Sequence, residues 1–219
     1  MPEATEQLVH AERSVLLFSG GLDSTALAAI YRPALLLFID YGQRPADLER
    51  RSARRVAEVL SLPLAEESLG IQAFGSGLLQ TESGAQLDAA PSPEWWPYRN
   101  QFLATAGAAV ALREELSAVL LGSVAPDGER HLDGTPEFYR RLNALMHFQE
   151  GAVEVLAPAI NRTTEELLDS SGLEEDVLGW TASCHRSNLS CGQCPGCWKR
   201  MRVLAARGIS GYEWGSGHE

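Results

Sequence analysis

Ser14-Val-Leu-Leu-Phe18 runs directly into Ser19-Gly20-Gly21-Leu22-Asp23-Ser24, and an Ala-rich stretch then continues to Ile30. An apolar run, a glycine pair and then helix formers read as strand, tight loop and helix, with the helix starting near Ser24. At such a junction the glycines let backbone N–H groups approach an anion, and the helix N-terminus adds favourable partial charge. The hydroxyls of Ser19 and Ser24 supply further donors. Two glycines before a helix capped by Asp23 or Ser24 would by themselves be an ordinary turn. The full hexapeptide at this junction is more specific. It is not a Walker loop, because no Gly-Lys-Ser or Gly-Lys-Thr follows, and it lacks the spacing of the dinucleotide fingerprint.

Outward from this loop the alternation continues. Ala34 to Asp40 is a second apolar run suited to a strand buried on both faces, and Ala46 to Leu60 has helical spacing. Leu62 to Ser68 reads as a short strand, and the Gly-, Ser- and Pro-rich segment from Gly70 to Pro97 as a long surface loop. Small and apolar residues from Asn100 to Leu116 predict a packed helix, followed by a buried strand over Ser117 to Gly122. Thr135 to Gln149 is a helix with Pro136 in its first turn, Val153 to Pro158 is the last strand, and Thr163 or Thr164 caps a short helix reaching Leu168. This order predicts an α/β, Rossmann-like parallel sheet with helices on both faces and ligands beyond the carboxyl ends of its strands. Asp40-Tyr41-Gly42-Gln43-Arg44 closes the second strand at that edge, where its polar groups would face a nucleotide; a structural turn at Gly42 is the rival reading. Trp95 and Trp96 read as anchors of their loop, and His147 as structural or solvated.

The four cysteines all fall between positions 184 and 197, as Cys184, Cys191, Cys194 and Cys197. Overlapping Cys-x-x-Cys turns with Gly192 and Gly196 allow four thiolates to close a tetrahedral site, so structural Zn2+ is favoured over a redox pair or an iron–sulfur cluster. With all positions filled by sulfur the metal would hold the segment without doing chemistry, and His185 reads as exposed. Residues 1–180 are expected to form the nucleotide and substrate domain, with 181–219 a zinc-binding segment packed on it.

At 219 residues and 45% hydrophobic content the chain can bury one good core. No apolar run is long enough to span a membrane and the N-terminus does not resemble a secretory signal, so a soluble, cytoplasmic protein is expected. A formal charge of -11 argues against nucleic-acid binding. Arg50, Arg51, Arg54 and Arg55, mixed with Glu49 and Glu58, read as a solvated helix face.

The Ser19 to Ser24 hexapeptide resembles the PP-loop of ATP pyrophosphatases. That resemblance implies cleavage of ATP between its α and β phosphates, giving an adenylated substrate and pyrophosphate, with Asp23 helping to place Mg2+. Together with Asp40 to Arg44, Tyr98-Arg99-Asn100-Gln-Phe-Leu103, Gly122 with Asp127, and the cysteine cluster, the sequence is similar to the 7-cyano-7-deazaguanine synthase (QueC) family from about residue 14 to about residue 205. The similarity implies adenylation of 7-carboxy-7-deazaguanine, attack by ammonia to give an amide, and a second adenylation that ends in the nitrile. It places Ser19, Gly20, Gly21, Leu22, Asp23, Ser24, Asp40, Tyr41, Gly42 and Gln43 at the ATP. Asp23, Arg99 and Asn100 would serve the reaction; of the substrate-binding set, Arg99 and Asn100 would sit near the reacting groups and Asp127 and Asp133 would read the base. A homodimer is implied as well.

The chain departs from the family's pattern at His131-Leu132 (usually Tyr-Pro), Gly134-Thr135 (usually Cys-Arg), Pro45 (usually His) and Thr164 (usually Lys). These departures motivate an alternative in which the activated acyl group passes to an amine of a protein or other macromolecule, as in QueC-like proteins of antiphage defence loci. Sulfur-transferring and glutamine-dependent PP-loop enzymes rank lower, since no cysteine lies outside the cluster. A non-catalytic, zinc-stapled nucleotide-binding module is the remaining alternative.

Overall fold

Val15, Leu16, Leu36 and Leu37 are completely buried, which explains why the first two strands read as continuous apolar runs without alternation. The computed structural model describes residues 11–80 and 87–209. Its five strands are β1 (Ser14–Leu17), β2 (Leu35–Asp40), β3 (Leu64–Ser68), β4 (Ala118–Leu120) and β5 (Glu154–Leu156). They form one sheet in the order β3-β2-β1-β4-β5. Every pairing is parallel, with Val15 opposite Leu35 on one side and opposite Val119 on the other. The chain therefore builds outward from β1 to β3, then returns across the sheet to add β4 beside β1. That reversal opens a crevice at the carboxyl ends of β1 and β4, where α/β sheets bind ligands.

The eight α-helices among the described residues are α1 (Leu22–Tyr31), α2 (Ala46–Leu60), α3 (Arg99–Arg113), α4 (Asp127–Arg130), α5 (Pro136–His147), α6 (Thr164–Ser171), α7 (Glu175–Gly179) and α8 (Pro195–Ala206). Alternate strand residues separate two cores. Leu16, Leu36, Phe38 and Leu120 face Ala26 and Leu27 of α1, Val56 of α2, Leu167 of α6 and Val203 and Leu204 of α8. Val15, Leu37, Val119 and Val155 face Ala104 and Ala108 of α3 and Leu142 and Met146 of α5. Each fully buried leucine of this kind contributes about 1.5–3 kcal/mol.

Several sequence-level boundaries are sharpened. Thr163, rather than Thr164, caps α6: its hydroxyl accepts from Glu166 N at 3.2 Å, while Glu166 Oε2 accepts from Thr163 N at 2.9 Å. α3 ends at Arg113 instead of Leu116. The segment expected to be a surface loop is partly interior. Its described residues carry two single-turn helices, Gln72–Phe74 and Gly77–Leu79, and Trp96 is 1% exposed with its ring edge-on to Tyr41 at 5.0 Å. Residues 81–86 of that expected loop lie outside the described residues. α8 was not anticipated; its Val203 and Leu204 join the sheet's own core, so the cysteine-rich segment and the sheet share one packed interior.

Candidate active site

The loop after β1 turns at Gly20, whose φ of +73° places it in the left-handed region. Its carbonyl accepts from Ser52 Oγ of α2 at 2.8 Å and from Ala182 N at 3.1 Å, tying the loop to both neighbouring segments. Gly21 adopts extended backbone immediately before α1, and Ser24 Oγ donates to its carbonyl at 3.2 Å. Ser19, Gly21, Leu22, Asp23 and Ser24 form one wall of a cavity of about 390 Å³, a volume in the range of small-molecule sites.

The opposite walls come from α3, from the segment after β4 and from the cysteine-rich region. Arg99 and Asn100 open α3; the Arg99 guanidinium lies near Tyr41, Asp133 and Asp127, its Nε donates to Asn100 Oδ1 at 3.4 Å, and Asn100 Nδ2 donates to the Asp133 carbonyl at 3.1 Å. Asp127 Oδ2 accepts from Val124 N at 3.1 Å. Burial pushes the Asp127 carboxyl above the usual carboxylate range; the positive charge of Lys199 opposes that rise and the negative charge of Asp23 adds to it. Asp133 follows on a single helical turn, and a Cβ at Gly134 would lie 2.8 Å from the Asp127 carbonyl carbon. Glycine at 134 is thus what allows the turn bearing Asp133 to press against Asp127, while Thr135 caps α5 through Phe138 N at 3.3 Å. Two of the departures from the family's pattern therefore have local structural reasons.

The structure brings Ser19, Gly21, Leu22, Asp23, Ser24, Tyr41, Arg99, Asn100, Asp127 and Asp133 around one cavity. Asp40, Gly42, Gln43 and Arg44 are placed away from its walls. Asp40 pairs with Arg50 and accepts from Gly42 N at 3.0 Å. The buried Gln43 side chain accepts from Tyr41 N at 2.8 Å and donates to Glu49 Oε2 at 2.8 Å. Here the segment closes the strand and positions Tyr41 and Glu49. Arg50 is correspondingly only partly solvated, unlike the exposed Arg51 and Arg54 of the same helix.

Several lining residues were not singled out from the sequence. Glu49, hidden among the arginines of α2, is pushed up to about 7 by burial, with the Gln43 amide and Arg99 resisting. Burial would also raise the Glu94 carboxyl, but His131, its own backbone amide and Arg130 outweigh it and hold the group at about 2. Arg130 reaches Glu94 Oε1 at 2.5 Å, and Ser92 Oγ lies 3.3 Å from His131 Nε2. His185 is half-buried in the cavity wall rather than exposed, because the cysteine-rich segment folds back over the sheet edge; burial pushes its imidazole down to about 4. Lys199 of α8 completes this wall, 2.8 Å from Asp23 Oδ2. A carboxylate or imidazole at large sequence separation carries no local signature, so only the fold could collect these groups.

Cys184, Cys191, Cys194 and Cys197 converge with their sulfurs all within 4.8 Å of one another. Zinc–sulfur bonds of about 2.3 Å in a tetrahedron require sulfurs about 3.8 Å apart, and Cys191 and Cys197 stand at 4.0 Å. Backbone N–H groups of His185 and Cys197 point at Cys194 Sγ at 3.3 and 3.4 Å, as suits a thiolate acceptor. The donor set therefore fits a zinc-type ion, which would fasten the start of α8 to the 184–186 segment.

The fold is a parallel α/β sheet whose loop at the switch point faces a cavity lined by acids, arginines and an amide, the class of α/β protein that places its ligand site at the carboxyl ends of the strands. The chain belongs to the QueC family: the family model described as queuosine biosynthesis protein QueC matches residues 13–208. The chain is similar to 7-cyano-7-deazaguanine synthases from Methanocaldococcus jannaschii (28% identical, covering 90% of this chain and 96% of that protein) and Koribacter versatilis (31%, 90% of each). It is 33% identical to the one from Acidobacterium capsulatum, over 88% of this chain and 92% of that protein.

Proposed function

We propose that this chain is an ATP-dependent ligase that activates the carboxylate of 7-carboxy-7-deazaguanine as an acyl-adenylate. The reading extends to attack by ammonia and conversion through the amide to 7-cyano-7-deazaguanine, with release of AMP and pyrophosphate. The observation that supports it is the sharing of one cavity by the Ser19–Ser24 loop and the Arg99, Asn100, Asp127 and Asp133 group. Backbone amides at the loop and at the start of α1 suit a polyphosphate. Carboxylates suit the N–H edge of a guanine-like base, and Asp127 and Asp133 are assigned to it. Arg99 and Asn100 are assigned to the reacting carboxylate and phosphate. Asp23 would hold Mg2+, which neutralises phosphate charge when bound.

The acceptor is the second element of the reading. Leu132 is 87% exposed between the wall residues His131 and Asp133, so the cavity's edge there meets solvent. That opening favours, as a second reading, an amine carried on a protein or other macromolecule. Purified chain incubated with the carboxylate, ATP, Mg2+ and ammonium, with products read by mass spectrometry, separates the two. Nitrile supports ammonia as acceptor; AMP formed without amide or nitrile rules that acceptor out; no AMP at all rules out the activation itself.

A further inference from the structure

Asp23 carries two partners that arrive from distant parts of the chain. Thr164 Oγ1 of α6 donates to its Oδ1 at 2.6 Å, and Lys199 Nζ of α8 donates to its Oδ2 at 2.8 Å. Lys199 lines the same cavity as the phosphate loop, and its charge is felt by Asp127 across it. Of the other cations of the cavity wall among the described residues, Arg130 pairs with Glu94 and Arg99 sits at the start of α3 beside Tyr41, Asp127 and Asp133, so Lys199 is the one that stands on the loop's own carboxylate. The root of Lys199 is well fixed. Cys197 belongs to the cysteine cluster two residues earlier, and the adjacent Arg200 is buried, its guanidinium donating to Thr181 Oγ1 at 3.0 Å and to the Leu178 carbonyl at 3.2 Å. Its tip is not enclosed, since the side chain is 34% exposed. A lysine with a fixed root, a flexible four-carbon stem and donors left over can change partner without moving its helix.

Resting on the activation reading above, we propose that Lys199 is the phosphate-binding cation of this loop. It stands on Asp23 here and passes to the phosphate oxygens of a nucleoside triphosphate when Asp23 takes a divalent cation. A second positive charge on that carboxylate repels the ammonium, and the triphosphate offers it a stronger acceptor. In the displacement, a carboxylate oxygen of the substrate bonds to the α-phosphorus. The bond from that phosphorus to the α,β-bridging oxygen breaks, and its electron pair leaves on pyrophosphate. Lys199 keeps its protons throughout and offsets the negative charge accumulating on the leaving group, an interaction stronger in the transition state than before it.

The test uses the full chain and its Lys199→Met, Lys199→Arg and Thr164→Lys/Lys199→Met variants. Two quantities are read: affinity for Mg2+ with the α,β-methylene analogue of ATP by calorimetry, and pyrophosphate release with the carboxylate. Lys199→Met is expected to weaken analogue binding about tenfold or more and to lower the rate of pyrophosphate release about 100-fold, with Lys199→Arg retaining part of both. Because Thr164 contacts the same carboxylate, Thr164→Lys placed in the Lys199→Met background is expected to restore binding. If Lys199→Met lowers the melting temperature, Lys199→Gln takes its place in the comparison. Analogue affinity within threefold of the unsubstituted chain overturns the proposal, as does a loss that Thr164→Lys fails to restore. A Lys199-dependent affinity in a chain that releases no pyrophosphate with the carboxylate upholds Lys199 and instead overturns the activation reading.

Discussion

Substituting Gly20 and Gly21 one at a time separates the fold of the phosphate loop from its use. At Gly20 an alanine must sit at φ +73°, with its Cβ 2.5 Å from Ser52 Oγ, 2.6 Å from Ala53 N and 2.8 Å from the Ser52 carbonyl carbon. The left-handed backbone costs about 1–2 kcal/mol. Two of the three contacts are backbone atoms of α2, which cannot rotate away, so forced displacement adds about 1–3 kcal/mol. Reduced freedom of the unfolded chain returns about 0.4–1 kcal/mol. The net loss is about 1–5 kcal/mol, or roughly 2–20 °C in melting temperature for a chain of this size. At Gly21 the backbone is already extended, and an added Cβ meets Ser19 Oγ at 3.4 Å and the Ala182 carbonyl oxygen at 3.5 Å, which is close to ordinary contact. Gly21→Ala is therefore expected to melt within about 2 °C of the unsubstituted chain. Because Gly21 lines the cavity, its methyl would stand where an anion must approach, and ATP affinity is expected to fall about tenfold or more. Thermal melts by circular dichroism and ATP titration by calorimetry read both. A Gly20→Ala chain that melts normally, or a Gly21→Ala chain that binds ATP normally, would refute the assignment of a structural glycine followed by a ligand-facing one.

Glu49 predicts a pH dependence. With its carboxyl raised by burial from 4.5 to about 7, the folded chain holds a proton that the unfolded chain releases across that window, so this group's contribution to stability falls as pH rises from about 4.5 through 7. The full shift corresponds to at most about 3 kcal/mol. Glu49→Gln should accordingly raise the melting temperature at pH 8 and change it little at pH 4; equal effects at both would show that burial does not perturb the carboxyl. Cys194→Ser removes a sulfur that is fully buried, caps α8 and accepts two backbone N–H groups. Elemental analysis is expected to find about one zinc per unsubstituted chain and little in the variant, together with a lower melting temperature; zinc retained in full would contradict a four-sulfur site.

The sheet was legible because its central strands are buried on both faces and so appear as unbroken apolar runs, and because Ser19-Gly20-Gly21 interrupts one of them abruptly. The cysteine cluster was legible because its ligands are close in sequence. α8 was obscured in that same reading: Pro195 and the apolar Val203 and Leu204 carry a helix signal, but it overlaps the metal motif and a run of Lys and Arg. The Asp40–Arg44 turn looked equally able to face a ligand or to close a strand, and its orientation depends on Gln43 finding Glu49, a tertiary event. Lys199 and Asp23 meet across 176 positions of sequence, and no local pattern announces such a pairing.

The central claim is that ATP is cleaved at its α-phosphorus by the substrate's own carboxylate, and isotope transfer tests it most directly. With 7-carboxy-7-deazaguanine labelled with 18O in its carboxylate, Mg2+, ATP and ammonium, the account predicts AMP carrying one 18O atom, detected by mass spectrometry together with pyrophosphate. AMP without label, or ADP and inorganic phosphate in place of AMP and pyrophosphate, would contradict it.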